Sequence, residues 1–279
     1  IKEGFDLIKG YEAKFSIYEN KSEVSQVNKF AAVMSVSITR ETYDVIKQSL
    51  DYSKTSGGLF DVTILPLVKV WGFDSKEFKK PSPGEIEDAR ACVGWDKVML
   101  TDSGGECSLR FLKPDMQIDL GGIAKGYICD KVCELFSNAG LKDFIVNIGG
   151  NICSRGVSRK RQPWVIGVRN PRDRSEIIEQ IVLDNEATAT SGDYERYFID
   201  EGIRYSHILN PRTGYPVQGV IAVTVVAATG VLADAASTIM FLTPRGERED
   251  MFKKIGLKRA LVFEETVGGS IIRLEYNAE

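Results

Sequence analysis

The sequence predicts an α+β protein in which mixed sheets pack against helices. Strand-like and helical runs are intermixed without the regular strand–helix–strand alternation that a doubly wound parallel sheet requires. Strand-like runs dominate between residues 144 and 227. A chain of 279 residues, 43% hydrophobic and 27% charged, suffices to bury one large core or two small ones.

The elements follow in order. Residues 1–14 read as a helix, followed by an apolar stretch at 15–18 and a short helix at 23–30. Residues 33–38 alternate like a strand, and the amphipathic segment 41–55 ends at Gly57-Gly58, a helix stop. Ser82-Pro83-Gly84-Glu85 starts another helix, with serine at the cap, proline in the first turn and glutamate at the capping-box position. Strand-like runs occupy 95–100, 107–112 and 116–120. The third leads through Gly121-Gly122 into a helix over 123–138 that Gly140 stops. Strands are expected at 144–148, 164–168, 177–183, 205–209 and 221–227, helices at 232–242 and 247–255, and closing strands at 260–263 and 271–274. The stretches 74–84 and 102–106 read as loops rather than linkers, so one domain over 1–279 is expected.

A net charge of −3 and a pI near 5.5 argue against nucleic acid as a partner, because such binding needs a basic footprint. No apolar run reaches the roughly 20 residues of a membrane-spanning helix. The five cysteines lack the spacing of a disulfide framework and read as small core residues, although Cys129 and Cys133 lie four apart on a predicted helix. Residues 155–174 hold Arg155, Arg159, Lys160, Arg161, Arg169, Arg172 and Arg174 against one acid, Asp173, which reads as a solvated loop or a patch for an acidic partner.

Four constellations carry chemistry. In Asp119-Leu120-Gly121-Gly122-Ile123-Ala124-Lys125-Gly126, a strand delivers two glycines to a helix start, where unpaired N–H groups favour an anion and Lys125 adds positive charge. Taken alone, this is an ordinary glycine turn with a solvated lysine. In Gly230-Val231-Leu232-Ala233-Asp234-Ala235-Ala236-Ser237-Thr238, Asp234 and Thr238 are four apart and project from one helix face, a carboxylate and a hydroxyl suited to a hard cation such as magnesium. Alternatively, Asp234 is a partly exposed first-turn acid and Thr238 a core residue. His207 is the chain's one histidine, either a hydrogen-bonded structural residue or a base. The segments 58–63 and 66–73 are aromatic-rich, which core packing explains for the most part.

In combination and in this order, the motifs resemble the FAD:protein FMN transferase (ApbE) family. The resemblance begins at Phe15-Ser16-Ile17-Tyr18-Glu19-Asn20 and Ser22-Glu23-Val24-Ser25. It continues through Gly58-Leu59-Phe60-Asp61, Pro66-Leu67-Val68, Trp71-Gly72-Phe73 and the Asp119–Gly126 turn. Val146-Asn147-Ile148-Gly149-Gly150-Asn151, Thr190-Ser191-Gly192-Asp193-Tyr194-Glu195-Arg196 and His207-Ile208-Leu209-Asn210-Pro211-Arg212-Thr213-Gly214 follow, and the Asp234 helix completes it. Family members begin with a strand bearing a Met-Gly-Thr motif that contributes to the flavin site. No such motif precedes the first helix here, and the expectation is that this strand is missing from the chain as given.

The resemblance implies an ApbE-like fold and a division of labour. Magnesium would be held by Asp234, Thr238 and the carbonyl of Gly122. FAD would be contacted by Tyr18, Leu59, Phe60, Asp61, Asp119, Lys125, His207 and Ser237, with Tyr18 and Phe60 offering ring faces. The implied reaction breaks the FAD pyrophosphate, joins FMN to a threonine hydroxyl of a target flavoprotein subunit and releases AMP, with His207 or Asp234 as base. Placement outside the cytoplasmic membrane is implied as well, with membrane anchoring through a segment upstream of Ile1. Two competing functions share these motifs: a pyrophosphatase that hydrolyses FAD to FMN and AMP, and a non-catalytic flavin-binding protein.

Overall fold

Local chemistry sets the helix boundaries. A computed structural model describes residues 1–75, 77–173, 175–266 and 268–278. In chain order, the first half holds α1 (Lys2–Phe15), α2 (Glu23–Phe30), β1 (Val36–Ile38), α3 (Arg40–Thr55), α4 (Leu65–Val70), α5 (Pro83–Ala91), β2 (Val98–Ser103), β3 (Glu106–Phe111) and α6 (Ala124–Asn138). There follow β4 (Phe144–Ile148), β5 (Asn151–Arg155), β6 (Trp164–Arg169), β7 (Ile177–Leu183), β8 (Ala187–Gly192), β9 (Tyr197–Asp200) and β10 (Ile203–Ser206). The chain closes with β11 (Val220–Ala227), α7 (Gly230–Leu242), α8 (Arg248–Ile255), β12 (Arg259–Glu265) and β13 (Ile271–Asn277). The expected capping box starts α5: Ser82 Oγ accepts the Glu85 N–H at 3.3 Å, and Glu85 Oε2 accepts the Ser82 N–H at 2.8 Å. Gly57 and Gly58, at φ +62° and +84°, stop α3 as their conformational freedom allows.

The chain folds as two compact units. The first comprises Ile1–Leu7, Ile123–Glu195 and Gln218–Glu279. Its antiparallel six-stranded sheet runs β13-β12-β11-β8-β5-β4. Every residue of β11 is buried, so both of its faces are covered. Helix α7 packs on β11 and β8, and α6 packs on α7, β5 and β4. The β6–β7 hairpin adds Val168, Ile181 and Leu183 to a core shared with Ile152, Ile221 and Phe263.

The second unit comprises Ile8–Gly122 and Arg196–Val217. It holds a three-stranded sheet, β1-β3-β2, and the β9–β10 hairpin, both antiparallel. Trp71 is fully buried, stacks on Tyr205 at 5.4 Å, and donates from Nε1 to the Gly214 carbonyl at 2.9 Å. This packing accounts for the aromatic segment 66–73.

The α+β expectation holds, with differences in particular elements. Residues 116–120 lie outside any ladder: Asn28 brackets Ile118, accepting its N–H at 2.7 Å and donating to its carbonyl at 2.9 Å, and Asp119 N–H donates to Val62 O at 2.8 Å. Side-chain and loop partners thus replace a neighbouring strand. The run 95–100 opens with a 3-10 turn at Trp95–Lys97, and the run 205–209 leaves its hairpin at Ser206, which puts His207 beyond the strand. Strands β5, β8 and β9 have no counterpart in the sequence reading.

All five cysteines are free thiols, and Cys107, Cys129, Cys133 and Cys153 are buried. In the basic segment, Arg172 is clamped in both arms by Asp193, at 2.6 and 2.9 Å, rather than solvated. Arg174 of that segment and residue 76 of the 74–84 loop lie outside the described residues.

Candidate functional site

In the first unit, glycine brings α6 and α7 into backbone contact. A Cβ on Gly126 would stand 2.1 Å from the Gly230 carbonyl oxygen and 2.7 Å from Asp234 Cβ, so no other residue permits this approach. At the crossing, Asp234 is only 6% exposed, which corrects its reading as a partly exposed acid. Its Oδ2 accepts the Gly126 N–H at 2.9 Å, and its Oδ1 faces the Lys125 ammonium at 3.7 Å. The first N–H groups of a helix have no partner within it and favour an anion. The sequence suggested a phosphate for the start of α6, yet one of these N–H groups is given to the protein's own carboxylate.

The hydroxyls of the same face form a chain. Ser237 Oγ donates to the Asp234 carbonyl at 2.9 Å and lies 2.8 Å from Ser191 Oγ, which in turn lies 3.2 Å from Thr238 Oγ1. Asp234 and Thr238 thus stand one turn apart on α7, with Lys125 facing the Asp234 carboxylate and Ser237 bonded to the Asp234 carbonyl. Ser191 was not singled out individually. Its motif, 190–196, was visible, but only the pairing of β8 aims the hydroxyl at α7.

The other expected residues belong to the second unit. Tyr18 is 60% exposed, whereas Phe60 is 5% exposed and offers no open ring face. Leu59 is buried beside it. Asp61 is also buried: its Oδ1 accepts the N–H and the hydroxyl of Thr63 at 2.8 and 2.6 Å, and its Oδ2 accepts the Trp95 N–H at 3.0 Å. Burial pushes the Asp61 carboxyl above the ordinary aspartate range, against the pull of those bonds. Asp119 Oδ1 accepts the N–H of Gly121 at 2.8 Å, shaping the turn that contains Gly122. His207 lies beyond β10, with Nδ1 3.2 Å from the Arg196 carbonyl oxygen and its ring edge toward Phe73. A carbonyl only accepts, so Nδ1 carries the proton in that bond and the neutral ring keeps its lone pair on Nε2.

The donor set on α7 fits magnesium. Asp234 and Thr238 supply oxygen only, the ligand type that a hard cation prefers. Among the described residues, no group of three or more His, Cys, Asp or Glu side chains could hold a metal ion. An ion held here would take Asp234 and Thr238 as protein side chains and complete its shell with waters and substrate oxygens, as magnesium can.

Fold and site together define an α+β protein that sets a carboxylate, an ammonium and hydroxyls on one helix crossing, a constellation suited to an anionic ligand and a hard cation. The ApbE family model matches residues 1–261, and the chain belongs to the ApbE family. It is 32% identical over 268 residues to the FAD:protein FMN transferase of Haemophilus influenzae, covering 94% of this chain and 78% of that one. It is 33% identical over 236 residues to that of Vibrio cholerae, covering 83% and 70%. Among solved structures, the ApbE protein of Thermotoga maritima matches with a TM-score of 0.89 at 35% identity, covering 98% of this chain and 87% of that one. The flavin transferase ApbE of Vibrio cholerae matches with 0.85 at 29% identity, with the same coverage.

Proposed function

We propose that this chain is an FAD:protein FMN transferase. Its substrates are FAD and a threonine hydroxyl of a target flavoprotein, and its products are the FMN phosphoester and AMP. The observation that carries the reading is the buried Asp234, set on one helix face with Thr238 and confronted by Lys125, in a chain whose relatives bear that name.

Asp234 and Thr238 would hold a magnesium ion. When bound, the ion offsets the pyrophosphate charge and stabilises the leaving phosphate of AMP. Lys125, whose side chain is 44% exposed, would exchange Asp234 for a phosphate oxygen when the ligand enters. His207, with Nδ1 donating to the Arg196 carbonyl, is the candidate to take the acceptor proton at Nε2, with Asp234 as the alternative. The threonine oxygen forms a bond to the FMN phosphorus, and the phosphorus–oxygen bond to the AMP half breaks. Tyr18 supplies an open ring for the cofactor. We place this activity outside the cytoplasmic membrane, on a protein tethered by a lipid anchor, following the family resemblance; among the described residues no helix is long and apolar enough to cross a membrane.

The test is mass spectrometry of a peptide bearing a Gly-x-Thr acceptor motif after incubation with the protein, FAD and magnesium. The threonine should gain the mass of FMN less water, and AMP release should accelerate with the acceptor. Fast hydrolysis to free FMN, indifferent to any acceptor, would make the chain a pyrophosphatase. FAD binding without AMP release would make it a flavin carrier.

A further inference from the structure

The α6–α7 crossing contains a second carboxylate that the proposed reaction does not use. Asp130 stands one turn after Gly126 on α6 and reaches across to the start of α7. Its Oδ1 accepts the Gly230 N–H at 2.7 Å and its Oδ2 the Val231 N–H at 2.9 Å. The two helices therefore cap each other: Asp234 of α7 takes an N–H from α6, while Asp130 of α6 takes two from α7. Gly230 is as constrained as Gly126, since a Cβ there would stand 2.6 Å from the Gly126 carbonyl oxygen and 2.7 Å from Cys153 Sγ.

An ordinary cap already exists on α7. Thr229 occupies the N-cap and its hydroxyl accepts the Leu232 N–H at 3.3 Å. A carboxylate imported from another helix is a costlier device, because burial disfavours its charge and pushes the Asp130 carboxyl up. Cys153 Sγ lies 3.6 Å from Asp130 Oδ1. Its thiol is driven upward by a hydrogen bond to Cys129 and by burial, so it remains a donor. What Asp130 adds beyond a local cap is orientation. Turning α7 about its axis would carry the face bearing Asp234 and Thr238 away from Gly126 and Lys125 of α6, and it would break both charge-assisted bonds of Asp130 at once.

We propose that Asp130 is the positioning residue of this site, holding α7 in the rotation that keeps Asp234, and with it the Thr238 face that would hold a cation, turned toward the start of α6. The proposal rests on Asp234 and Thr238 being the metal ligands. Partners that hydrogen-bond a metal ligand govern about 10–100-fold in metal affinity, and Asp130 bonds the backbone of the helix that carries the ligands, which puts its effect at the lower end.

The experiment titrates Mn2+ into the full chain and follows the free ion by electron paramagnetic resonance. Wild type is compared with Asp130→Asn, Asp234→Ala and Thr229→Ala, with circular dichroism reporting the fold of each. Asp130→Asn should weaken Mn2+ binding by at least about tenfold and lower kcat more than it raises the KM for FAD. Thr229→Ala removes a cap from the same helix and should leave the Mn2+ affinity unchanged. Should Asp130→Asn fail to fold, Asp130→Ser, which keeps one acceptor, replaces it with the same expectation. Unchanged Mn2+ affinity at position 130, with binding lost in Asp234→Ala, overturns the positioning role and leaves the metal site standing. Equal weakening in Thr229→Ala also overturns it, since any loss of helix stability would then suffice. Binding undiminished in Asp234→Ala, or absent in wild type, overturns the metal site and the positioning role with it.

Discussion

Two buried aspartates, one in each unit, show how similar burial serves different ends. Asp61 is 7% exposed and Asp234 is 6% exposed. The Asp61 carboxylate meets three neutral donors from its own loop and from Trp95, and joins the 3-10 turn at Val62–Ile64 to the segment before β2. Asp234 meets one neutral donor and a lysine whose side chain is 44% exposed. A buried carboxylate surrounded by short neutral bonds is a structural joint. One confronted by a partly solvated cation, on a face with hydroxyls, can exchange that partner for a ligand.

The sharpest way to break this contrast is to remove Asp234. Asp234→Ala should lower FMN transfer by at least about 100-fold, since the charge stabilisation a metal supplies is worth several kcal/mol. It should also cost about 1–3 kcal/mol of stability by orphaning the buried Gly126 N–H, read as a lower urea midpoint. Full transfer in this variant, or in excess EDTA, would place Asp234 in the same class as Asp61. Asp61→Ala makes the converse case: two backbone N–H groups lose their acceptor, so a loss of about 2–4 kcal/mol is expected, with Mn2+ affinity unaltered. Weakened Mn2+ binding there would erase the distinction.

Lys125→Ala sharpens the comparison further. FAD affinity should fall by about 1–3 kcal/mol if a charged hydrogen bond to phosphate is lost, measured by calorimetry, while Mn2+ affinity should rise because a competing cation leaves Asp234. The smallest expected effect concerns pH. Burial holds the folded Asp61 carboxyl above the ordinary aspartate range, so the native state binds protons more readily than the unfolded chain between the two values. The contribution of Asp61 is thus fully present below pH 3.8 and is lost as pH rises through the folded value. Relative to Asp61→Asn, the wild-type urea midpoint should be highest at acid pH and decline with rising pH. A midpoint difference that is flat or grows with pH would mean that the hydrogen bonds outweigh burial.

Much was legible where the cause is local. The Ser82–Glu85 capping box, the Gly57-Gly58 stop and the one-turn spacing of Asp234 and Thr238 depend on residues within a few positions of each other, so spacing alone determined them. The order of the motifs likewise pointed to the family that the comparisons establish. The interior strands were not legible, because β8 is a stretch of small and polar residues and β5 a short mixed one, and their strand character comes from paired neighbours. Residues 116–120 failed in the opposite sense, being strand-like in pattern yet claimed by Asn28 and Val62. The sequence by itself determined which groups are candidates for the chemistry, since residue type and short-range period are local properties. Only tertiary structure decided that Asp234 is buried, that it accepts the Gly126 N–H, and that Asp130 caps its helix. Those bonds join residues about a hundred positions apart, and they exist because two glycine-lined helices touch.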